Sequence, residues 1–411
     1  MPLIRPFPGL RPAPGRADDV VAPPYDVLNT EEARERAAGR PWSFLHISKP
    51  EIDLPEGTNP FAAEVYAKGK ENFERMLAEG VLVQDGEPCY YLYRLIMGEH
   101  VQTGLVAAAS VAAYDAGRIR KHEFTRPDKE DDRVRQIDSL GAQTGPVFLT
   151  YRHNTTIDDL VERLTAAEPD MDVTADDGVR HTLWAVSDTG AMQTITDTFD
   201  AMERLYVADG HHRSAAASRV AAKRREANPE HTGDEPYNFF LSVIFPDVQM
   251  QILDYNRVVT DLGGRSEEAF MEAIAEAFTI EDATAPVRPR ASGEFGMYLG
   301  GSWYRLRIKA ERIPEDPVGR LDVSLLQNNL IEPVLNISDP RRDKRIDFVG
   351  GIRGLGELEK RVDSGAMAAA FSLHPTSLEQ LMAVADANEV MPPKSTWFEP
   401  KLADGLVSHL I

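Results

Sequence analysis

The sequence predicts an α+β fold built on mixed sheets, and three observations predict it. Apolar runs of strand length alternate with amphipathic stretches of helix length, but without the strict βαβ order of a doubly wound sheet. Apolar residues make up 42% of the chain and charged residues 27%, the ordinary balance of a globular protein. At 411 residues the chain exceeds what one core usually serves, so two or three lobes are expected.

In chain order, residues 1–30 read as extended and Pro-rich, with Val20–Val27 as a strand ending in a rigid Pro23-Pro24 turn. Helical patterns follow at 30–39 and 59–80, the second opening on Asn59-Pro60 and stopping near Gly80. Residues 89–97 and 101–114 read as a strand pair about Gly98-Glu99, and 117–140 as a charged block. A strand at 146–151 precedes a mixed segment, 156–200. Leu205–Asp209 is a strand, an Ala-rich helix runs to about 227, and 228–236 links it to a buried strand at Phe239–Phe245. Residues 265–310 read as a helix, a Pro-rich loop and a hairpin; the last ninety or so mix helices with short strands. Four segments are expected: a lobe at 1–155 with His122-Glu123, a lobe at 156–260 with Asp209–Arg213, a smaller insert at 261–320, and a 321–411 segment packing back on the site.

Composition narrows the function. A formal charge of −21 argues against a sequence-independent nucleic-acid binder, which needs surplus Lys and Arg, while leaving room for a local basic pocket. The single cysteine, Cys89, excludes a disulfide framework and a multi-Cys metal site; beside Tyr90–Tyr93 it reads as a packed strand residue. No run of 18 apolar residues and no signal-peptide pattern occurs, so no membrane span and a cytoplasmic location are expected. Homo-oligomerisation is left open.

Leu205-Tyr206-Val207-Ala208-Asp209-Gly210-His211-His212-Arg213 is the most informative stretch. Strand, glycine turn and helix start bring backbone N–H groups to the positive end of a helix dipole, an anion corner suited to phosphate. Gly210 permits a sharp turn and close approach, and Arg213 has the fork that grips two phosphate oxygens. Asp209 does not suit a pure phosphate cradle, which suggests a metal contact, a base or a partner orienting a histidine. A solvated His-His turn is the bland alternative.

Two further blocks carry chemistry. In 120–133, Glu123 beside His122 has the setting of a general base, and Lys129, Glu130 and Arg133 share helical spacing that would align one acid with two cations. A solvated helix face is the competing reading. In 391–401, prolines stiffen a loop offering Lys394, Ser395, Thr396 and Lys401 to phosphate, although a structural strap would look alike and GxxxxGK[ST] is absent. Gly350–Gly356 fits a turn better than a nucleotide loop. Neither HExxH nor a Cys/His ligand set occurs. Mg²⁺ would travel with phosphate oxygens and a carboxylate such as Asp209 or Glu123. Blocks 121–133, 209–213 and 394–401 are expected to meet in one cleft, since each alone is an incomplete phosphate site.

Five ordered motifs together resemble one bacterial and archaeal family, DUF1015: Ala22–Val27, His122–Thr125 with Lys129–Arg133, Gly145–Phe148, Ala208–Arg213 and Pro393–Lys401. The Asp-Gly-His-His-Arg element is also similar to that of free-serine kinases of the ParB/sulfiredoxin-like superfamily. That resemblance implies a ParB/sulfiredoxin-like strand–helix phosphate-binding corner. Gly210, Arg213, Lys129, Arg133, Lys394, Ser395, Thr396 and Lys401 would then surround ATP or ADP. Glu123, Asp209, His211 and His212 would be catalytic, with Glu123 as the acid–base group. The family's link to serine biosynthesis points to serine or phosphoserine. The function expected is therefore a phosphotransferase on a small hydroxylated metabolite. Its rivals are a phosphoserine phosphatase using water and a non-enzymatic nucleotide switch, the latter disfavoured because no basic helix-turn-helix stands out.

Overall fold

Near-continuous burial along the central strands, covered on both faces, shapes the first sheet, and the computed structural model, which describes residues 2–411, resolves its order. Its strands are β1 (Ile4–Arg5), β2 (Tyr90–Met97), β3 (His100–Ser110), β4 (Ile119–Arg120), β5 (Val147–Tyr151), β6 (Met171–Thr174), β7 (Arg180–Val186), β8 (Leu205–Asp209) and β9 (Phe239–Pro246). They run β4-β8-β5-β9-β3-β2-β7-β6, with β1 beside β3. The β8–β4 and β9–β5 pairs are parallel and the others antiparallel, so the sheet is mixed.

The longer helices of the first unit are α1 (Thr30–Ala37), α2 (Ala63–Ala78), α3 (Pro127–Leu140), α4 (Thr155–Leu164), α5 (Thr189–Ala201) and α6 (His211–Ala227). Of these, α4, α5 and α6 cover this sheet. Leu92, Leu105, Leu149, Val207 and Ile244 share one core with Ile157 and Leu160 of α4, Ile195 and Phe199 of α5, and Ala217 and Ala221 of α6. Ser214, Ala217 and Ala221 are buried at one-turn intervals, and small side chains there let α6 lie close to the strands. Ala216 and Val220 meet Ile137 of α3 on the neighbouring stripe.

A second unit spans residues 251–399, while residues 1–250 and 400–411 form the first. The second holds an antiparallel sheet of β10 (Tyr255–Val259), β11 (Phe278–Ala283), β12 (Glu294–Leu299), β13 (Ser302–Ile308), β14 (Ile346–Gly350) and β15 (Ala369–Leu373), in the order β11-β13-β12-β15-β10-β14. Its helices include α7 (Glu267–Ala275), α8 (Leu355–Asp363) and α9 (Leu378–Asp386).

The mixed α+β class holds, and its details differ from the sequence reading where hydrogen bonding decides. The boundary expected at 155 falls inside the first sheet, because β5 pairs with both β8 and β9. Boundaries at 260 and 320 fall inside the second, because β10 and β12 both pair with β15. Val20–Val27 is not a strand: Val20 closes a short helix and Tyr25–Val27 is a 3-10 turn, since Pro23 and Pro24 have no N–H for a ladder. The strand expected to 114 stops at Ser110, whose hydroxyl caps a short helix at Val111–Asp115. Helix α2 begins at Ala63, after a turn in which Asn59 Oδ1 accepts the Phe61 N–H. Strand β11 was missed; only the β12–β13 hairpin beside it was legible.

Gly104 of β3 lies under the Phe245 ring of β9, where a Cβ would stand 2.8 Å from a ring carbon. Gly104→Ala is therefore expected to destabilise the protein by about 1–3 kcal/mol through overpacking, measured by denaturant unfolding. Unchanged stability would contradict this packing.

Candidate functional site

The site begins where β8 ends. A register shift between Val207 and Asp209 against β5 marks a bulge, the device by which a strand re-aims a side chain. Gly210 then takes φ 93°, and α6 starts at His211. The first intrahelical bond runs from Ser214 N–H to Gly210 C=O, so the N–H groups of His211, His212 and Arg213 have no acceptor within the helix. No side chain caps α6, as none caps α2, α3 or α8, whereas Asn29, Asn154, Asp188, Ser266 and Ser377 cap α1, α4, α5, α7 and α9.

Asp209 is held between cations. Lys401 Nζ lies 3.1 Å and Arg213 Nη2 3.8 Å from its carboxylate. Burial opposes its ionisation, but Lys401 and then Arg213 overcome this and hold its carboxyl well below the usual carboxylate range. Lys401 reaches it because residues 400–411 return to the first unit: Ala22 and Asp404 exchange backbone bonds, Ser408 bridges Leu10, and His409 pairs with Gln143.

The block after β4 supplies the other wall. His122 and His211 are both buried, their rings edge to face with centroids 4.4 Å apart. The His122 N–H reaches His211 Nε2 at 3.5 Å, which places the neutral hydrogen on Nδ1, and that nitrogen faces Glu123 Oε2 at 3.6 Å. Glu123 is about half exposed, at 47% of its side chain. The Arg126 N–H donates to His212 Nε2 at 3.1 Å, leaving Nδ1 as that ring's donor. Burial pushes all three imidazoles down, His122 to about 4 and His211 and His212 below their ordinary value. They are neutral hydrogen-bonding groups at neutral pH, not cations.

Arg213 faces inward. Its guanidinium donates to Pro146 C=O and lies 3.7 Å from Asp26. Gly145 and Gly210 make room for it, since a Cβ at either would stand 3.3 Å from its Cδ or 3.1 Å from its Nε. The side chain expected to grip phosphate therefore braces the turn that presents the amides. It also lines a polar cavity of about 30 Å³ with Tyr25, Ser48, Arg133, Gln143 and Asp404. Asp404 is buried with Oδ1 unbonded, and burial, opposed by Arg213, pushes its carboxyl up to about 7.

Sequence reasoning missed Asp26 and Asp404. The one signal for Asp404 was a second Ala-Asp-Gly, Ala403–Gly405, whose glycine also has positive φ, 88°.

The structure brings Glu123, Asp209–Arg213 and Lys401 together and separates the face expected along α3. Lys129 Nζ lies 5.3 Å from the centre of the Phe61 ring. Glu130 accepts from Thr125 and pairs with Arg219. Arg133 is bound by Asp132 and stacks 4.0 Å from Tyr25. Helical spacing put these residues on adjoining rows, but α3 turns them toward different neighbours.

Lys394, Ser395 and Thr396 belong to the second unit. Lys394 adopts φ 60° with its Nζ 5.5 Å from the Tyr255 ring, and the Ser395 hydroxyl donates to Pro392 C=O at 2.6 Å, so it serves its own loop. In the glycine cluster, a Cβ at Gly350 would meet the Trp397 ring at 2.9 Å, and Gly351 N–H bonds Asp254 C=O at 2.7 Å. Packing against Trp397 and against Asp254 accounts for these two glycines.

The sequence matches the family described as Protein of unknown function (DUF1015) over residues 4–324, and the chain belongs to that family. No curated protein matches it. Solved structures that align with it include a free serine kinase in complex with AMP, 11% identical with a TM-score of 0.36 over 72% of this chain and 86% of that one. Another is SbnI with C-terminal truncation from Staphylococcus aureus, 11% identical with a TM-score of 0.39 over 74% and 87%. A third is a conserved hypothetical protein from Pyrococcus furiosus, 14% identical with a TM-score of 0.35 over 77% and 98%. No helix of the described residues is long and apolar enough to cross a membrane.

The buried histidines set an acid limit. His122, His181 and His409 are each held to about 4 by burial, so as pH falls below 6.5 the unfolded chain takes their protons first. Their contribution, roughly 3 kcal/mol each at most, is present above pH 6.5 and lost toward pH 4. Asp404 runs the other way, its raised carboxyl favouring the folded state as pH falls below 7. Three depressed imidazoles outweigh one raised carboxyl, so Tm should drop on acidification from pH 6.5 to 4. A Tm that is flat or rises across that window would contradict this burial.

Proposed function

We propose that this protein is a phosphotransferase that moves a phosphoryl group between a nucleotide, ATP or ADP, and the hydroxyl of a small metabolite. The observation that carries this reading is the uncapped amino end of α6. It starts from a left-handed glycine, with Lys401 beside it and the half-exposed Glu123 carboxylate 3.6 Å from His211. Phosphoryl transfer asks a protein mainly to place donors around the phosphate oxygens and to position the acceptor. Three backbone N–H groups and an ammonium are suited to the first task, and a carboxylate with access to solvent is suited to the second. The resemblance of the Asp-Gly-His-His-Arg element to that of free-serine kinases supports serine as the metabolite.

In this reading the N–H groups of His211–Arg213 take phosphate oxygens, and Gly210 keeps a side chain out of their approach. Arg213 acts from inside, bracing Asp209 and the turn. His211 orients Glu123 through Nδ1–H. Glu123 accepts the hydroxyl proton as the substrate oxygen bonds phosphorus, while the bond from phosphorus to the nucleotide oxygen breaks and the electron pair leaves with the nucleotide. Phe124, 77% exposed next to Glu123, offers an aromatic face to the base.

Asp209 is a poor candidate for the proton acceptor, because the two cations that hold it also lower its basicity. Mg²⁺ fits as an ion carried by the nucleotide. Among the described residues no group of three His, Cys, Asp or Glu is placed to hold a metal, so phosphate and water oxygens would supply its shell and leave Glu123 free to act as base.

Glu123→Gln should lower kcat by about 10²–10⁴-fold, the range of general acid–base catalysis, with nucleotide affinity by calorimetry held within a few-fold. Asp209→Asn should instead weaken nucleotide binding by loosening Lys401 and the turn. Near-normal kcat in E123Q, or a dominant kcat loss in D209N with binding intact, would overturn the assignment.

A further inference from the structure

A buried arginine with no carboxylate partner stands in the second unit. Arg257 on β10 is 6% exposed, and among the described residues no acidic side chain pairs with it. Its terminal nitrogens donate to two main-chain carbonyls, Tyr255 C=O and Lys394 C=O, the latter at 3.0 Å. That spends two of five N–H donors and compensates none of the charge. The guanidinium also lies 5.0 Å from the centre of the Phe348 ring. An ionised group held this way costs free energy unless an anion joins it.

The same guanidinium lines a cavity of about 470 Å³, within the roughly 300–1,000 Å³ typical of small-molecule sites. Its walls include Leu326, Ile331, Ile346 and Phe348, and its rim includes Ser338 and the Asp339–Arg341 pair, 2.9 Å apart. One wall is the π-helical segment Gln327–Ile331, a local widening of the helix common at functional sites. Since Asp339 and Arg341 neutralise each other, the cavity's net charge is that of Arg257, a single positive charge.

We infer that this cavity of the second unit binds a monoanionic small molecule, a carboxylate on an apolar, ring-sized body, with the carboxylate on Arg257 and the body against Phe348 and the aliphatic wall. A planar carboxylate matches the guanidinium fork, and one negative charge matches one unpaired cation. The inference stands apart from the phosphotransfer reading, because it uses other residues in the other unit.

Titration calorimetry of the full chain with 2-naphthoate and with its uncharged counterpart 2-naphthamide tests it. One naphthoate should bind per chain, and the amide should bind about tenfold more weakly or worse, the scale of one charge-assisted hydrogen bond. Arg257→Met should reproduce the amide's loss. Ser338→Trp, at an exposed rim position where folding is not at stake, should abolish binding while Tm holds. Absence of saturable naphthoate binding, equal binding of the amide, or binding that survives S338W would each overturn the inference.

Discussion

A carboxylate clamped between two cations fixes the turn on which the site depends. Asp209 is met by Lys401 at 3.1 Å and by Arg213 at 3.8 Å, and Arg213 is anchored in turn on Pro146 C=O. Three distant segments, 145–147, 209–213 and 400–404, are thereby tied at one corner. With the turn braced from inside, the amino end of α6 is held in place with its amides uncapped. The buried imidazoles of His122 and His211 extend this arrangement, since burial keeps them neutral and able to donate and accept in fixed directions. A site of this kind positions a charged ligand with dipoles and one ammonium, which suits a protein whose overall charge is strongly negative.

Local signals in the sequence were strong where local chemistry decides the structure. Leu205–Asp209, Gly210 and the Ala-rich helix formed as read, because an apolar run, a residue free to take φ 93° and a string of helix formers all point one way. The hairpin at Gly98 formed for the same reason. What the sequence could not convey was direction. Arg213 reads as a phosphate ligand from its neighbours in the chain, yet Gly145, more than sixty residues upstream, provides the space into which it turns. Lys129 and Arg133 share a helical period, but Phe61 and Tyr25 draw them apart. Domain boundaries were misjudged because β5 pairs with strands that follow it by more than fifty residues, and such ladders leave no local trace.

The second unit follows a different electrostatic logic. In the first, the cations at the site are paired, with Arg213 facing Asp26 and Asp209, and Arg133 facing Asp132. In the second, Arg257 has carbonyl dipoles and the faces of Phe348 and Tyr255 but no carboxylate, and burial lowers its pKa to about 10. An unpaired buried guanidinium is costly, and the inferred carboxylate ligand would complete it, whereas the site in the first unit is already paired.

Phosphorus NMR of the protein with serine, ATP and Mg²⁺, set beside phosphoserine with ADP, tests the central claim most directly. The account predicts that the phosphoserine resonance appears at the expense of a terminal nucleotide phosphate, or the reverse, and that neither change occurs without nucleotide. Release of inorganic phosphate from phosphoserine in the absence of nucleotide, or unchanged spectra in every combination, would contradict it.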